Sequence, residues 1–238
     1  MSITQTDHDQ PAELGVVTVR AASVADLTAT STLHVAHLRL GLFPRLGRRF
    51  VQRWHTTFLT APGGVGIVAT TRDTEGREVL LGFLLGTTDR DASRSDLISF
   101  RSWPIVLHAA VALALRPVTL VQFLRTRLVR YARRFALAAH TRRKTVSAST
   151  RCSTQVAELD VLAVSPAARR LGLGAHLVEL FVHACETGGA VRIELVAPAT
   201  TEAVSFYRRT GWEQTSTTVT SDGAPVALFA RPCALTKV

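Results

Sequence analysis

Apolar and polar positions alternate from Val16 to Ala22, a period of two that predicts a first strand. Ser23 then stands as an N-cap before a helix reaching to about Leu38. Gly41, Pro44 and Gly47 punctuate a loop, and a second helix runs from about Arg48 to Leu59 before the turn at Ala61-Pro-Gly-Gly64. Val65 to Thr71 and Val79 to Thr87 flank Asp73-Thr-Glu-Gly76 and read as a hairpin. Between Asp89 and Thr154 the pattern changes to alanine- and leucine-rich runs, which read as helices. Pro104 to Leu115 is apolar on all sides, but it is shorter than the roughly 20 residues needed to span a bilayer. Val118 to Ala139 sets Leu120, Leu124, Leu128, Tyr131 and Phe135 in one apolar stripe, with Arg127, Arg130 and Arg134 on another face.

Alternation returns at Val156 to Val164. A helix from Gly172 to Thr187 and a strand from Val191 to Val196 follow, an order that implies a parallel pair with a right-handed crossover. A helix from Thr200 to Thr210 and a closing hairpin, Trp212 to Val219 with Pro225 to Arg231, complete the chain.

Composition adds three constraints. Hydrophobic residues at 47% and charged residues at 19% suit a folded α/β chain of 238 residues. The net charge of +10 is local: 11 of the 28 basic residues lie in 101–151, where there is no Asp or Glu, and the remaining 17 face 18 acidic residues elsewhere. Cys152, Cys185 and Cys233 are widely spaced with no CxxC, which predicts reduced thiols and no zinc site. Residues 1–14 are polar and acidic, lack the pattern of a secretory signal, and are expected to form a loose tail on a cytoplasmic protein.

The chemistry concentrates in Ala157-Glu-Leu-Asp-Val-Leu-Ala-Val-Ser-Pro-Ala-Ala-Arg-Arg-Leu-Gly-Leu-Gly-Ala-His-Leu-Val178, a strand, a loop and a helix start. Arg169-Arg-Leu-Gly-Leu-Gly174 puts two glycines at a helix N-terminus, where free N–H groups favour an anion such as a pyrophosphate. Glu202-Ala-Val-Ser-Phe-Tyr-Arg-Arg-Thr-Gly-Trp212 follows about 35 residues later. Together these segments resemble the GNAT superfamily of N-acetyltransferases, whose paired motifs read V-x-P-x-x-R-x-x-G-x-G/A and N-x-x-A-x-x-x-Y-x-x-x-G-F. The resemblance implies a mixed α/β sheet of six or seven strands, splayed at its centre, with flanking helices over residues 15–238. Here a helical insertion at about 89–154 separates the third and fourth strands.

The same resemblance implies acetyl-CoA as co-substrate, no metal, and direct transfer of an acetyl or other acyl group to a primary amine in a ternary complex. The main chain of Leu162, Ala163 and Val164 is implied to bond the pantetheine arm, with Val164 N–H meeting the oxyanion. Arg169, Arg170, Leu171, Gly172, Leu173, Gly174 and Ala175 are implied to hold the pyrophosphate. Thr200 stands where the family commonly has asparagine; its hydroxyl can replace part of that contact or simply cap the helix. Glu158, six residues before Val164, matches a catalytic glutamate of some members, although a solvated strand start accounts for it too. Strict alternation would place it on one face with Asp160, Leu162 and Val164. Tyr207 matches the tyrosine that protonates the leaving thiolate in many members, or it packs with Phe206 beneath the last helix.

Other residues fit packing better. His34 and His37 share a helical face, and His176 and His183 lie a heptad apart, without a carboxylate or cysteine at ligand spacing. Cys185 falls in an apolar helix pattern and reads as buried and inert. For the basic amphipathic insertion, a lid over the acceptor and peripheral contact with an anionic membrane both stand open; nucleic acid is not expected. The acceptor is a small-molecule or peptide amine, and monomer and homodimer are both allowed. The alternative class is a non-catalytic acetyl-CoA-binding sensor or scaffold that docks to an acidic or membrane partner.

Overall fold

The computed structural model describes residues 15–92 and 155–234, except positions 39, 42 and 221. The tail, Cys152 and both helices expected in the insertion, with their arginine face, lie outside the described residues. The chain begins with β1 (Thr18–Ala21) and continues through α1 (Leu27–His37) and α2 (Arg48–Thr60) to a hairpin of β2 (Gly64–Arg72) and β3 (Glu78–Thr87). Then come β4 (Val156–Val164), α3 (Leu173–Thr187), β5 (Arg192–Pro198), α4 (Thr201–Arg209), β6 (Glu213–Val219) and β7 (Pro225–Pro232). All seven strands form one sheet in the order β1-β2-β3-β4-β5-β7-β6. Among the described residues only β4 and β5 are parallel; every other neighbouring pair is antiparallel. The fold is therefore the mixed, centrally opened sheet expected, with seven strands.

Local chemistry explains where elements begin. Ser23 N–H and Oγ both donate to Asp26, at 2.7 and 2.8 Å, so the Asp26 carboxylate reaches back to the N-cap and ties down the entry to α1. Arg20 grips the same carboxylate with two 2.8 Å hydrogen bonds and so fastens β1 to the helix start. In α2 the buried residues Phe50, Val51 and His55 recur at helical spacing, while Arg48, Arg49 and Arg53 are exposed. Cys185 and Cys233 are buried free thiols, both pushed up by burial and so poor nucleophiles. No helix among the described residues is long and apolar enough to cross a membrane.

Two cores lie on opposite faces of the sheet. On one, Leu177, Val178, Phe181 and Val182 of α3 meet Ala157, Leu159, Ile193 and Leu195, together with Tyr207 of α4. On the other, Val68, Phe83, Leu85, Val161 and Ala163 pack beneath Leu33 of α1 and Trp54 and Phe58 of α2. Ala157 and Leu159 thus serve one core, whereas Val161 and Ala163, of the same parity, serve the other. A bulge is the cause: Leu85 pairs with Val161 but Gly86 pairs with Leu159, so Asp160 has no opposite number. The extra residue reverses the strand's facing. Glu158 accordingly lies toward α1 and α2, while Leu162 and Val164 pack against the α3 core. The expectation that Glu158, Asp160, Leu162 and Val164 share a face is therefore wrong, because alternation holds only where both strands advance in step.

Gly86 is the counterpart of that bulge. A Cβ there would stand 2.6 Å from the Glu158 carbonyl oxygen and 2.6 Å from the Phe181 ring, both closer than atoms tolerate. We expect Gly86→Ala to destabilise the protein by about 1–3 kcal/mol or more through overpacking. Gly174→Ala, whose Cβ would meet its nearest neighbours at 3.5 Å, should stay within about 1 kcal/mol of wild type. Denaturant midpoints of the two variants check this; equal stability would contradict it.

Candidate active site

The site begins where the parallel pair ends. β4 and β5 are in register only from Val156 to Leu159 and from Arg192 to Leu195. β4 then stays with β3 as far as Val164, and β5 stays with β7 as far as Pro198. The edge of β4 over Asp160–Val164 that faces β5 is left without a strand partner, so its main-chain groups need another. Leu162 and Val164 turn their main-chain groups to that edge, whereas Ala163, opposite Phe83 and two residues from the Ser165–Leu81 hydrogen bond, turns its own to β3, contrary to the expectation for it.

The loop that follows is bound back to the strand. Ser165 N–H donates to Leu81 O at 2.7 Å, and Arg169 Nε donates to Val164 O at 3.2 Å. Arg170 and Gly172 both take left-handed backbone, at φ 65° and 76°. Glycine adopts this freely; at Arg170 it is local strain of the kind that clusters at ligand clamps. The next hydrogen bond runs from His176 N–H to Gly172 O, 3.0 Å, and opens the helix ladder. Among the described residues, nothing accepts from the consecutive N–H groups of Arg170, Leu171, Gly172, Leu173, Gly174 and Ala175. These donors stand at the positive end of a 15-residue helix, an arrangement that favours negative charge. A Cβ on Gly174 would lie 3.5 Å from the Phe206 ring and 3.6 Å from Val164 Cγ2, so loop, strand end and α4 converge there.

Thr200 caps α4, its hydroxyl accepting from Ala203 N–H at 3.4 Å, which establishes its structural role. Tyr207 is 8% exposed and its ring packs against Phe206, Phe229 and Trp212, with centroids 5.0, 5.3 and 6.0 Å away. Burial pushes its phenol well above the ordinary range, so it keeps its proton at any working pH. A cavity of about 340 Å³ opens on the other flank of the loop, between Val17, Val19, Leu81, Leu171 and His176, and lies outside the parting of β4 and β5.

On the opposite face, Glu158 is in register with Thr87 of β3 and with Glu194 of β5. Glu194 is ion-paired with both Arg90 and Arg192, which offsets the repulsion between adjacent carboxylates. The structure thus brings Leu162 to Val164, the 169–175 loop and α4 together, and sets Glu158 across the sheet from them. Farther along the same face lies a pair that spacing alone does not reveal. His34 of α1 and His55 of α2 are both buried, with 3.2 Å between His34 Nδ1 and His55 Nε2. His37, the expected neighbour of His34, is exposed, as are His176 and His183. His55 carried one signal: it falls on the buried face of α2, four residues after Val51.

Fold and loop together define a mixed α/β protein with a parted parallel pair and a run of unpaired N–H groups at a helix start. A family model described as the acetyltransferase (GNAT) domain matches residues 117–228 of the chain. Ard1 from Thermoplasma volcanium has a similar structure, at 14% identity and a TM-score of 0.54, covering 92% of this chain and 98% of its own. The ribosomal-protein-S18-alanine N-acetyltransferase from Escherichia coli is similar at 14% identity and TM-score 0.52, with coverage of 93% and 97%. A NatC complex bound to Gag peptide and CoA is similar at 11% identity and TM-score 0.53, with coverage of 92% and 99%. No curated protein matches the chain.

The buried imidazoles set the pH range over which this face is stable. Burial lowers His34 from 6.5 to about 4; burial and the neighbouring His34 lower His55 to about 3. In the unfolded chain each binds its proton near 6.5. As pH falls from 6.5 to 4 the unfolded state therefore carries more protons, and stability is lost by up to about 1.4 kcal/mol per pH unit per histidine. Asp26, which its hydrogen bonds with Arg20 lower to about 2, loses its contribution only below its unfolded value of 3.8. Urea melts from pH 7 to 4 should show the decline in wild type and a shallower one in His34→Gln/His55→Gln. Parallel curves would contradict the assignment.

Proposed function

We propose that the protein is an N-acetyltransferase that moves an acetyl, or another acyl, group from CoA to a primary amine within a ternary complex. One observation carries this reading: the unpaired N–H run from Arg170 to Ala175 stands beside the open edge of β4. A diphosphate needs several converging donors and no carboxylate nearby, and the loop supplies that donor set. The β4 edge at Leu162 and Val164 offers main-chain groups to an amide-bearing arm lying where β5 has turned away. The match to the acetyltransferase domain model supports an enzyme over the non-catalytic alternative, and supports a small-molecule or peptide amine as acceptor.

When bound, the acyl-CoA supplies an activated thioester carbonyl; the chain's own groups do the rest. The Val164 N–H is positioned to meet charge developing on that carbonyl oxygen. Tyr207, held protonated by its burial, donates to the departing sulfur. Glu158 lies on the α1/α2 side, away from the diphosphate loop, and takes a proton from an ammonium arriving there. An alkylammonium has a pKa near ~10.4, so a base is needed at neutral pH.

Two measurements test these roles. Calorimetry with acetyl-CoA should give a saturable heat in wild type, and Gly172→Val should weaken binding at least about tenfold, because a branched side chain resists a φ of 76°. No heat with wild type would end the cofactor assignment. Thiol release should then be followed with a panel holding a polyamine, an amino sugar and a short peptide with a free N-terminus. Glu158→Gln is expected to lower kcat by about 10²–10⁴, and Tyr207→Phe by at least about tenfold, without weakening acetyl-CoA binding. Wild type that binds acetyl-CoA but releases no thiol with any amine would favour the sensor alternative.

A further inference from the structure

The buried histidines on α1 and α2 take no part in holding a diphosphate, and their hydrogen bonds form a single line. Thr30 Oγ1 stands 3.1 Å from His55 Nδ1, and His55 Nε2 stands 3.2 Å from His34 Nδ1. The Thr30 hydroxyl donates to the Leu27 carbonyl at 3.3 Å, which leaves its oxygen to accept from His55 Nδ1–H. A neutral imidazole carries one N–H, so His55 Nε2 then accepts from His34 Nδ1–H. His34 Nε2 is left as a lone pair. Among the described residues nothing hydrogen-bonds this atom, yet it is not one of the fully buried atoms without a partner, which are Arg90 Nε and Trp212 Nε1. The line is therefore closed at Leu27 and ends at His34 Nε2, on a residue 5% exposed. Nor do the two rings form a metal site, since among the described residues no group of three or more His, Cys, Asp or Glu gathers around them.

Placement gives that end a use. The His34 ring lies 6.5 Å from Phe83 at 30°, and edge-on to Trp54 at 5.7 Å. Phe83 is the register partner of Ala163, one residue before Val164. His34 thus covers the α1/α2 face of the sheet where β4 has lost β5, across the sheet from the amides of the α3 N-terminus. An amine that approaches the thioester from this face passes it.

Acyl transfer to an ammonium forms an N–C bond, breaks a C–S bond, and removes two protons from nitrogen. Glu158 takes the one that frees the amine, Tyr207 supplies the proton on sulfur and regains one afterwards, and the second proton leaves nitrogen as the amide forms. We propose that His34 is a proton acceptor for the amine, receiving this second proton at Nε2 while His55 and Thr30 share the resulting charge through the buried line. This rests on the acyl-transfer reading above. The hydrogen bonds already point the required way: a protonated His34 still donates Nδ1–H to His55, and His55 still donates to Thr30, so nothing has to reorient. The low affinity of a buried imidazole for protons keeps His34 vacant at neutral pH and returns the proton to solvent after each turnover.

The test uses wild type that releases thiol with an amine of the panel. His34→Ala should lower kcat at least about a hundredfold with little change in KM for acetyl-CoA. Imidazole in the buffer should restore at least about a tenth of the loss, whereas pyrazole, of the same shape but hardly basic, should not. His34→Gln, which keeps bulk and hydrogen bonding without basicity, should show the same deficit and serves if the alanine variant does not fold. Equal rescue by pyrazole would mean cavity filling and would overturn the role, as would full kcat in His34→Gln. An active wild type with an indifferent His34 removes this inference alone. A wild type silent with every amine removes the acyl-transfer reading and this role with it.

Discussion

A parallel pairing that lasts only from Val156 to Leu159 is the constraint on which the rest of the molecule depends. Each strand has a stronger commitment on its other side: β4 to β3 through Val164, β5 to β7 through Pro198. Because both keep their antiparallel partners, they must separate once those ladders diverge. Separation leaves unpaired main-chain groups in the middle of a sheet, a costly arrangement unless something else bonds them. The loop after β4 gathers further unpaired donors beside the gap, from Arg170 to Ala175. An opening with donors on one rim and a peptide-like edge on the other fits a ligand that carries phosphate at one end and amides along its arm.

The bulge at Asp160 divides the chemistry between two faces. Past it, Leu162 and Val164 turn toward α3 and α4, so the loop, the first turn of α3 and Phe206 meet at the strand end. Glu158 remains toward α1 and α2, the face on which Val161 and Ala163 underlie the aromatic and imidazole cluster of His34, Trp54, His55 and Phe83. Had the strand alternated without interruption, Glu158 would face the same helices as Leu162. Donor and acceptor would then compete for one side of the sheet. The empty side of Gly86, against which Phe181 presses, permits the bulge at the point where it is needed.

Much of this was legible in the sequence where the signal is local. Strict alternation identified β4 from Val156 to Val164 to the residue, and the two glycines marked the α3 N-terminus because their spacing has one economical use beside a helix start. The capping roles of Ser23 and Thr200 also follow from residue type and position. What escaped was set by partners distant in sequence. A bulge depends on both strands at once, and nothing in Ala157 to Val164 says that Gly86 will skip a residue. His55 acquires its meaning only when α2 lies against α1. His34 and His37 share a face of α1 and read as packing or surface residues; which of the two is buried is decided only by the packing of α2 against α1.

Leu162 and Val164, with Arg170 to Ala175, are to present main-chain amides to one CoA thioester. Amide hydrogen exchange with and without acetyl-CoA reads those atoms directly, without requiring the acceptor to be known. The account expects exchange to slow in both segments together, while the β6–β7 hairpin is unchanged. Unchanged exchange in both segments at saturating acetyl-CoA, or protection confined to another part of the sheet, would contradict it.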